Sequence, residues 1–182
     1  MLRLYLVRHA RPAGTFAEAR DPGLDVTGLA QAAALAERLG PLGPLPIVTS
    51  PLRRTRETAA PLELRWRRAA RVEPAVAEIP SCEDDLARRG EWLRGVMAGR
   101  WAEQAPDLQA WRTVVVDALL AMLETSVVVS HYVAINVALG HATGDDRVLC
   151  FAPDHCSVTI IDAANGTLSL VERGAEAATR VL

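Results

Sequence analysis

Three short stretches carry side chains able to do acid, base or anion chemistry. They are Arg8-His9 behind the apolar run 4–7, Ser50 to Arg54 behind 46–49, and Ser130-His131 behind 126–129. Each follows a run short and apolar enough to be a buried strand. In parallel neighbours that polar cargo gathers at one edge of the sheet, where ligands of open α/β sheets bind. The gathered set is arginines, two imidazoles and two helix N-termini, because helical patterns begin behind Ser50-Pro51 and behind His131. All of it attracts a tetrahedral oxyanion. Helix N-termini offer free N–H groups and partial positive charge, and guanidinium groups add forked contacts. An imidazole that is neutral at one nitrogen and oriented through the other can attack phosphorus. A carboxylic acid must then protonate the leaving oxygen and later activate water.

The elements that must position these groups are legible in order. Residues 11–26 read as a loop with turn chemistry at Asp21-Pro22-Gly23. Leu29, Ala32, Ala36 and Leu39 recur at helical spacing from Thr27, with Gly40-Pro41 as the stop. Ser50 reads as an N-cap and Pro51 as N1 of the next helix, which puts Arg53, Arg54 and Arg56 in its first turns. Arg71-Val72-Glu73 and Val76-Ala77 read as strand, leading to Glu78-Ile79-Pro80. Residues 81–124 read as a helical insertion, with Ser81 and Asp84 spaced like a capping box and a stripe from Leu108 through Trp111, Val115 and Leu119 to Met122. A helix is expected from Val133 to about Ala142, then strands at 147–151, 157–162 and 167–172. Asn165-Gly166 between the last two signals a hairpin and an antiparallel pair. The alternation gives an α/β protein, a three-layer α/β/α sandwich with a mostly parallel mixed sheet, folded as one domain over 1–182.

The totals narrow the function. A net charge of −2 argues against a general nucleic-acid or membrane-surface role. All 20 basic residues are Arg, so neither a Schiff-base lysine nor a P-loop lysine is available, and Arg must handle any phosphate. Cys82, Cys150 and Cys156 form no CxxC pair, and their odd number suits a reducing compartment. With no signal-like N-terminus and no membrane-length run, a cytoplasmic location is expected.

With those residues in view, the chain resembles the histidine phosphatase superfamily, whose fold is phosphoglycerate-mutase-like. Leu6-Val7-Arg8-His9-Ala10 is similar to its strand followed by Arg-His-Gly, which implies that His9 becomes phosphohistidine while Arg8 holds the phosphoryl group. The segment from Asp21 to Ala32 resembles the family's approach to its first helix. Ser50-Pro51-Leu52-Arg53-Arg54-Thr55-Arg56-Glu57-Thr58 resembles Ser-x-Leu-x-Arg-x-x-x-Thr, and that register selects Arg54. Val128-Val129-Ser130-His131 resembles the segment with the second pocket histidine, His131. Glu78 stands where the phosphoglycerate-mutase-like branch carries its proton donor. Tyr132 occupies the place where the other branch carries Asp, which favours Glu78.

The resemblance covers roughly residues 2–172 and departs in places. Ala10 replaces the usual Gly, which predicts a poorer backbone approach to phosphate. Tyr132 follows the second histidine instead of Gly, so it narrows the mouth or adds a hydroxyl for substrate. The loop lacks the family's Asn, and Thr15 is the candidate to replace it. His155, just before Cys156-Ser157, reads as a surface histidine, with a supporting place behind the pocket residues as the alternative, and His141 near Asp145-Asp146 as a helix-end histidine, not a metal ligand. Cys82 and Arg88 have Cys-x5-Arg spacing, but Glu83, Asp84 and Asp85 between them would repel a thiolate and a phosphate alike. Trp111 reads as core; Trp92 and Trp101 either line a lid or anchor the insertion.

The resemblance therefore implies a metal-independent, cofactor-free phosphomonoesterase of the histidine acid phosphatase type, acting on a phosphorylated small molecule through a phosphohistidine. Its catalytic set is His9, Arg8, Arg54, His131 and Glu78, with Thr15 and Tyr132 also binding substrate. The alternatives are a cofactor-dependent phosphoglycerate-type mutase, a phosphohistidine-protein phosphatase, or a phospho-ligand-binding module without turnover. The oligomeric state stays open, with a homodimer among the options, and specificity is expected in residues 80–112 and the loop 11–26.

Overall fold

The structure, a computed structural model, describes residues 1–177. Its sheet runs β1 (Leu2–Arg8), β2 (Ile47–Thr49), β3 (Arg71–Val72), β4 (Ser126–Ser130), β5 (Val158–Ala164) and β6 (Thr167–Glu172), in spatial order β3-β2-β4-β1-β5-β6. The pairs β3–β2, β2–β4 and β4–β1 are parallel, whereas β5 runs antiparallel to both β1 and β6. β1, β4 and β2 are thus side by side with their C-terminal ends on one edge. Asn165 and Gly166 take φ 52° and 74°, the left-handed pair a two-residue hairpin needs.

The period-2 pattern of the strands sorts the core into two halves. Leu4 and Leu6 of β1, Val48 of β2 and Val128 of β4 face a cluster built with α4 (Pro106–Leu120) and α5 (Tyr132–Thr143). Val7, Ile47, Val127 and Val129 face the opposite cluster, with α1 (Val26–Leu39) and α2 (Arg53–Trp66). β4 is buried along its whole length, so it reads as a continuous apolar run and not an alternation. Each such valine contributes about 1.5–3 kcal/mol on burial. The layers are α/β/α. α3 (Leu86–Ala98) lies between Asp85, whose carboxylate accepts from Arg88 N–H at 2.9 Å, and Gly99.

Four local expectations are corrected. Residues 147–151 make no strand, because the buried Asn136 amide oxygen of α5 accepts the N–H groups of Cys150 (2.7 Å) and Phe151 (3.0 Å) and leaves them nothing to give a ladder. Residues 74–76 form a 3-10 turn where Val76-Ala77 was read as strand. Pro74 has no donor, and the Glu73 carboxylate caps Ala75 N–H. Ser81 closes a turn by accepting from Glu83 N–H, so Asp85 is the cap of α3. Ser50 is not the N-cap of α2; Leu52 is, without a side-chain bond.

Trp101 is fully buried and packs on Trp111 at 6.0 Å between ring centroids, while Trp92 is partly buried against the same core. These tryptophans anchor 92–111 and do not line a lid. No helix among the described residues is long and apolar enough to cross a membrane.

Candidate active site

The three strand ends converge as the order β2-β4-β1 requires. His9 follows β1, and its backbone N–H donates to the Ser130 carbonyl at 3.0 Å, which fixes the two strand ends against each other. The His9 ring is buried, with Nδ1 2.8 Å from the Ala10 carbonyl. Nδ1 must carry the proton to donate there, so Nε2 keeps its lone pair. The Arg54 Nε–H points at that lone pair at 3.3 Å.

Ser50, though not the N-cap of α2, joins the start of that helix to His131. Its hydroxyl meets His131 Nε2 at 2.7 Å and Thr55 Oγ1 at 2.9 Å. His131 is fully buried, its Nδ1 has no partner, and its ring lies 5.2 Å from that of His9. Arg54 reaches the pocket from the first turn of α2, and its backbone carbonyl accepts from Thr58 Oγ1. That same Thr58 oxygen accepts the Ala10 N–H at 2.9 Å, while the Ala10 methyl is buried in the α1/α2 cluster. The expected penalty of Ala10 therefore has no structural basis: its methyl faces the core and its N–H is already committed.

Arg8 donates from Nη1 to the Pro153 carbonyl at 2.8 Å, leaves Nε without a partner, and lies over the Tyr132 ring at 4.8 Å. Glu78 is delivered by the 74–76 turn, which the Ser130 hydroxyl ties to β4 through the Val76 carbonyl at 2.7 Å. Its carboxylate accepts from Ile79 N–H at 3.0 Å and from Val133 N–H at 3.1 Å. Glu78 thus caps α5, and Asp21 does the same at α2 by accepting Arg53 N–H at 2.8 Å. This corrects the expectation of two helix N-termini free for an anion. Each has one first-turn N–H taken by a carboxylate, and the cationic side chains add to the anion attraction.

Electrostatics separates the groups by role. Burial first, then the neighbouring His131 and the charges of Arg54 and Arg8, hold His9 well below the ordinary imidazole range. Burial and the same two arginines do so for His131. Both rings are therefore neutral near neutrality. Burial pushes Glu78 upward against the opposing Ile79 and Val133 N–H groups and the arginine charges, so it keeps its proton to higher pH than a free carboxylate. Burial also works against the charge on Arg8 and Arg54, and Glu78 is the main group that offsets it on each.

Arg8, His9, Arg54 and Glu78 form the floor of a cavity of about 550 Å³, while His131, fully buried beside His9, is not part of its lining. Thr15 and Tyr132 are among its lining residues; Thr15 is exposed, and its N–H donates to the Glu18 carboxylate at 2.8 Å. His155, read as a surface histidine, also lines it. Its side chain is only 10% exposed and its ring lies 5.9 Å from that of His9. Burial and Arg8 lower it to about 4. Nothing local in the sequence distinguishes it, because its position depends on the Cys156 N–H docking on the Arg8 carbonyl at 3.0 Å. The cavity is completed by loop 11–22 and by the α3 face of Gly90, Leu93, Arg94 and Met97. Cys82 is a free, exposed thiol. Asp145 pairs with Arg147, and Asp146 with Arg112, so the carboxylates beyond His141 are engaged in ion pairs.

The model of the family described as the histidine phosphatase superfamily (branch 1) matches residues 4–176. The chain is 34% identical over 133 residues to the uncharacterized protein MT0547 of Mycobacterium tuberculosis (strain CDC 1551 / Oshkosh), an alignment spanning 63% of this chain and 64% of that protein. Among solved structures it is similar to phosphoserine phosphatase of Entamoeba histolytica in complex with 3-phosphoglyceric acid, with a TM-score of 0.76 and 20% identity over 96% of this chain and 98% of that one. A mycobacterial glucosyl-3-phosphoglycerate phosphatase gives 0.73 and 23% over 97% of this chain and 100% of that one. At those identities the likeness speaks for the fold.

Proposed function

The chain belongs to the histidine phosphatase superfamily (branch 1), and from that premise we propose that it is a metal-independent phosphomonoesterase acting through a phosphohistidine on His9. The His9 Nε2 lone pair attacks phosphorus as the P–O bond to the leaving group breaks, and the Glu78 proton goes to that oxygen. Arg8, Arg54 and His131 stabilise the equatorial oxygens in transit. Water then attacks the phosphohistidine, Glu78 takes its proton, and the P–N bond breaks to release phosphate. Thr15 and Tyr132 contact the substrate above this floor, within a single domain whose segment 81–124 is an insertion. The substrate is a phosphorylated small molecule.

One observation carries the reading. His9 is held at Nδ1 by the Ala10 carbonyl, which leaves a neutral Nε2 facing Arg54 in a cavity that also holds Glu78. The test is His9→Ala with a generic aryl phosphate. Turnover and acid-labile labelling from a ³²P-substrate should both vanish; full turnover in the variant would overturn the assignment. A binding module without turnover would take up phosphate or vanadate and hydrolyse no phosphoester.

A further inference from the structure

The cavity changes character between floor and mouth. Glu78 marks the side from which the leaving oxygen departs, since the acid must reach it. Arg20, Arg94, Thr15 and Tyr132 reach the cavity, but beside Val133, whose N–H the Glu78 carboxylate accepts, the lining includes Leu93 and Met97 of α3 and Phe16 and Ala17 of loop 11–22. Apart from the weakly accepting Met97 thioether, the side chains of Val133, Leu93, Met97, Phe16 and Ala17 form no hydrogen bond.

This wall is pre-arranged. The Arg89 guanidinium stacks on the Phe16 ring at 3.6 Å and fixes one of its faces. Gly90 packs so tightly on the loop that an added Cβ would come within 2.7 Å of the Ala17 Cβ. Within the loop the Glu18 carboxylate accepts Thr15 N–H.

The geometry points to a leaving group that is bulky and predominantly apolar, an alcohol with a ring-sized or larger hydrocarbon body; this rests on the phosphatase reading above. The cavity, at about 550 Å³, has the size of small-molecule sites, roughly 300–1,000 Å³, and far exceeds a phosphoryl group. Against Val133, Leu93, Met97, Phe16 and Ala17 a hydroxyl-rich leaving group would give up its water without gaining hydrogen bonds in return. A hydrocarbon ring would exchange ordered water for Phe16, Leu93 and Met97.

The test compares cyclohexylmethyl phosphate with glucose 6-phosphate. Both release a primary alkoxide attached to a six-membered ring, and they differ in the hydroxyls and the ring oxygen. The native chain should prefer the first by roughly tenfold or more in kcat/KM. Parity, or a preference for the sugar, overturns the inference. In Leu93→Asn/Met97→Gln, with folding checked by thermal melt, the preference should shrink toward parity; an unchanged ratio also overturns it. The ratio of the native chain stands whether or not that variant folds. If neither ester nor any aryl phosphate turns over, the phosphatase reading falls by itself. The same preference is then read from the dissociation constants of the two intact esters, with the same tenfold criterion.

Discussion

At the floor of the cavity, and just outside its lining for His131, three of the proposed catalytic side chains are held at one polar atom and left open at another. His9 is fixed at Nδ1 and open at Nε2, His131 is fixed at Nε2 and open at Nδ1, and Arg8 is fixed at Nη1 and open at Nε. The roof is made differently. Phe16, Gly90 and Leu93 are placed by stacking and close fit, and the loop is tied to the start of α3 by an exposed Arg20–Asp84 pair at 3.0 Å. Such an exposed pair contributes only about 0–1 kcal/mol. The floor thus fixes one chemistry through buried directional bonds, whereas the roof rests on non-directional contacts that other sequences can reshape without touching the reacting atoms.

Substitutions can break that contrast, and the floor should give the larger effects. His9→Ala should reduce turnover to background, read with an aryl phosphate. Arg54→Met should cost about 10²–10³ in kcat, the scale of losing one group that stabilises transition-state charge. A loss of comparable size from a roof residue would blur the distinction.

Glu78→Gln should lower kcat/KM by roughly 10²-fold or more for an alkyl phosphate, and much less for an aryl phosphate, whose leaving oxygen needs no proton. Its kcat should fall for both, because water attack on the phosphohistidine needs the Glu78 base. The pH profile follows from the same groups. Glu78 is needed protonated and lies above its usual range, so the alkyl reaction should decline as pH rises through that raised value. His9 is needed neutral and lies well below its usual range, so the acid limb should fall far below the normal imidazole region. Profiles of kcat/KM for the two ester types, with and without Glu78, check both signs.

The smallest expected effect lies in the roof. In Gly90→Val the added side chain pushes on the Ala17 Cβ. KM should rise by a few-fold, more than kcat falls, because the substituted atom is away from the phosphoryl group. Steady-state kinetics with one substrate separates the two parameters.

The sheet and the floor were legible before the structure because their signals are local. Apolar runs of four to seven residues end in polar cargo, and their parallel pairing is the expected outcome of strand–helix alternation. Two of the misreadings share one cause. At 147–151 the apolar pattern is that of a strand, yet a side chain fourteen residues earlier takes its N–H groups. At Ser50 the pattern is that of a cap, yet the hydroxyl is claimed by an imidazole 81 residues away. Local pattern cannot say which of two competing partners a polar group finds once the chain is packed.

By itself, then, the sequence determined the order of elements, the two apolar faces of each central strand, and the residue types that reach one sheet edge. Only the tertiary structure decided which nitrogen of each histidine is open, that Asp21 and Glu78 each take one N–H at a helix N-terminus, and that Ala10 turns its methyl to the core. It also decided that His155 and the apolar face of α3 close over the site. Periodicity is a property of neighbours along the chain, whereas hydrogen-bond choice and cavity shape depend on groups that meet only when the layers pack.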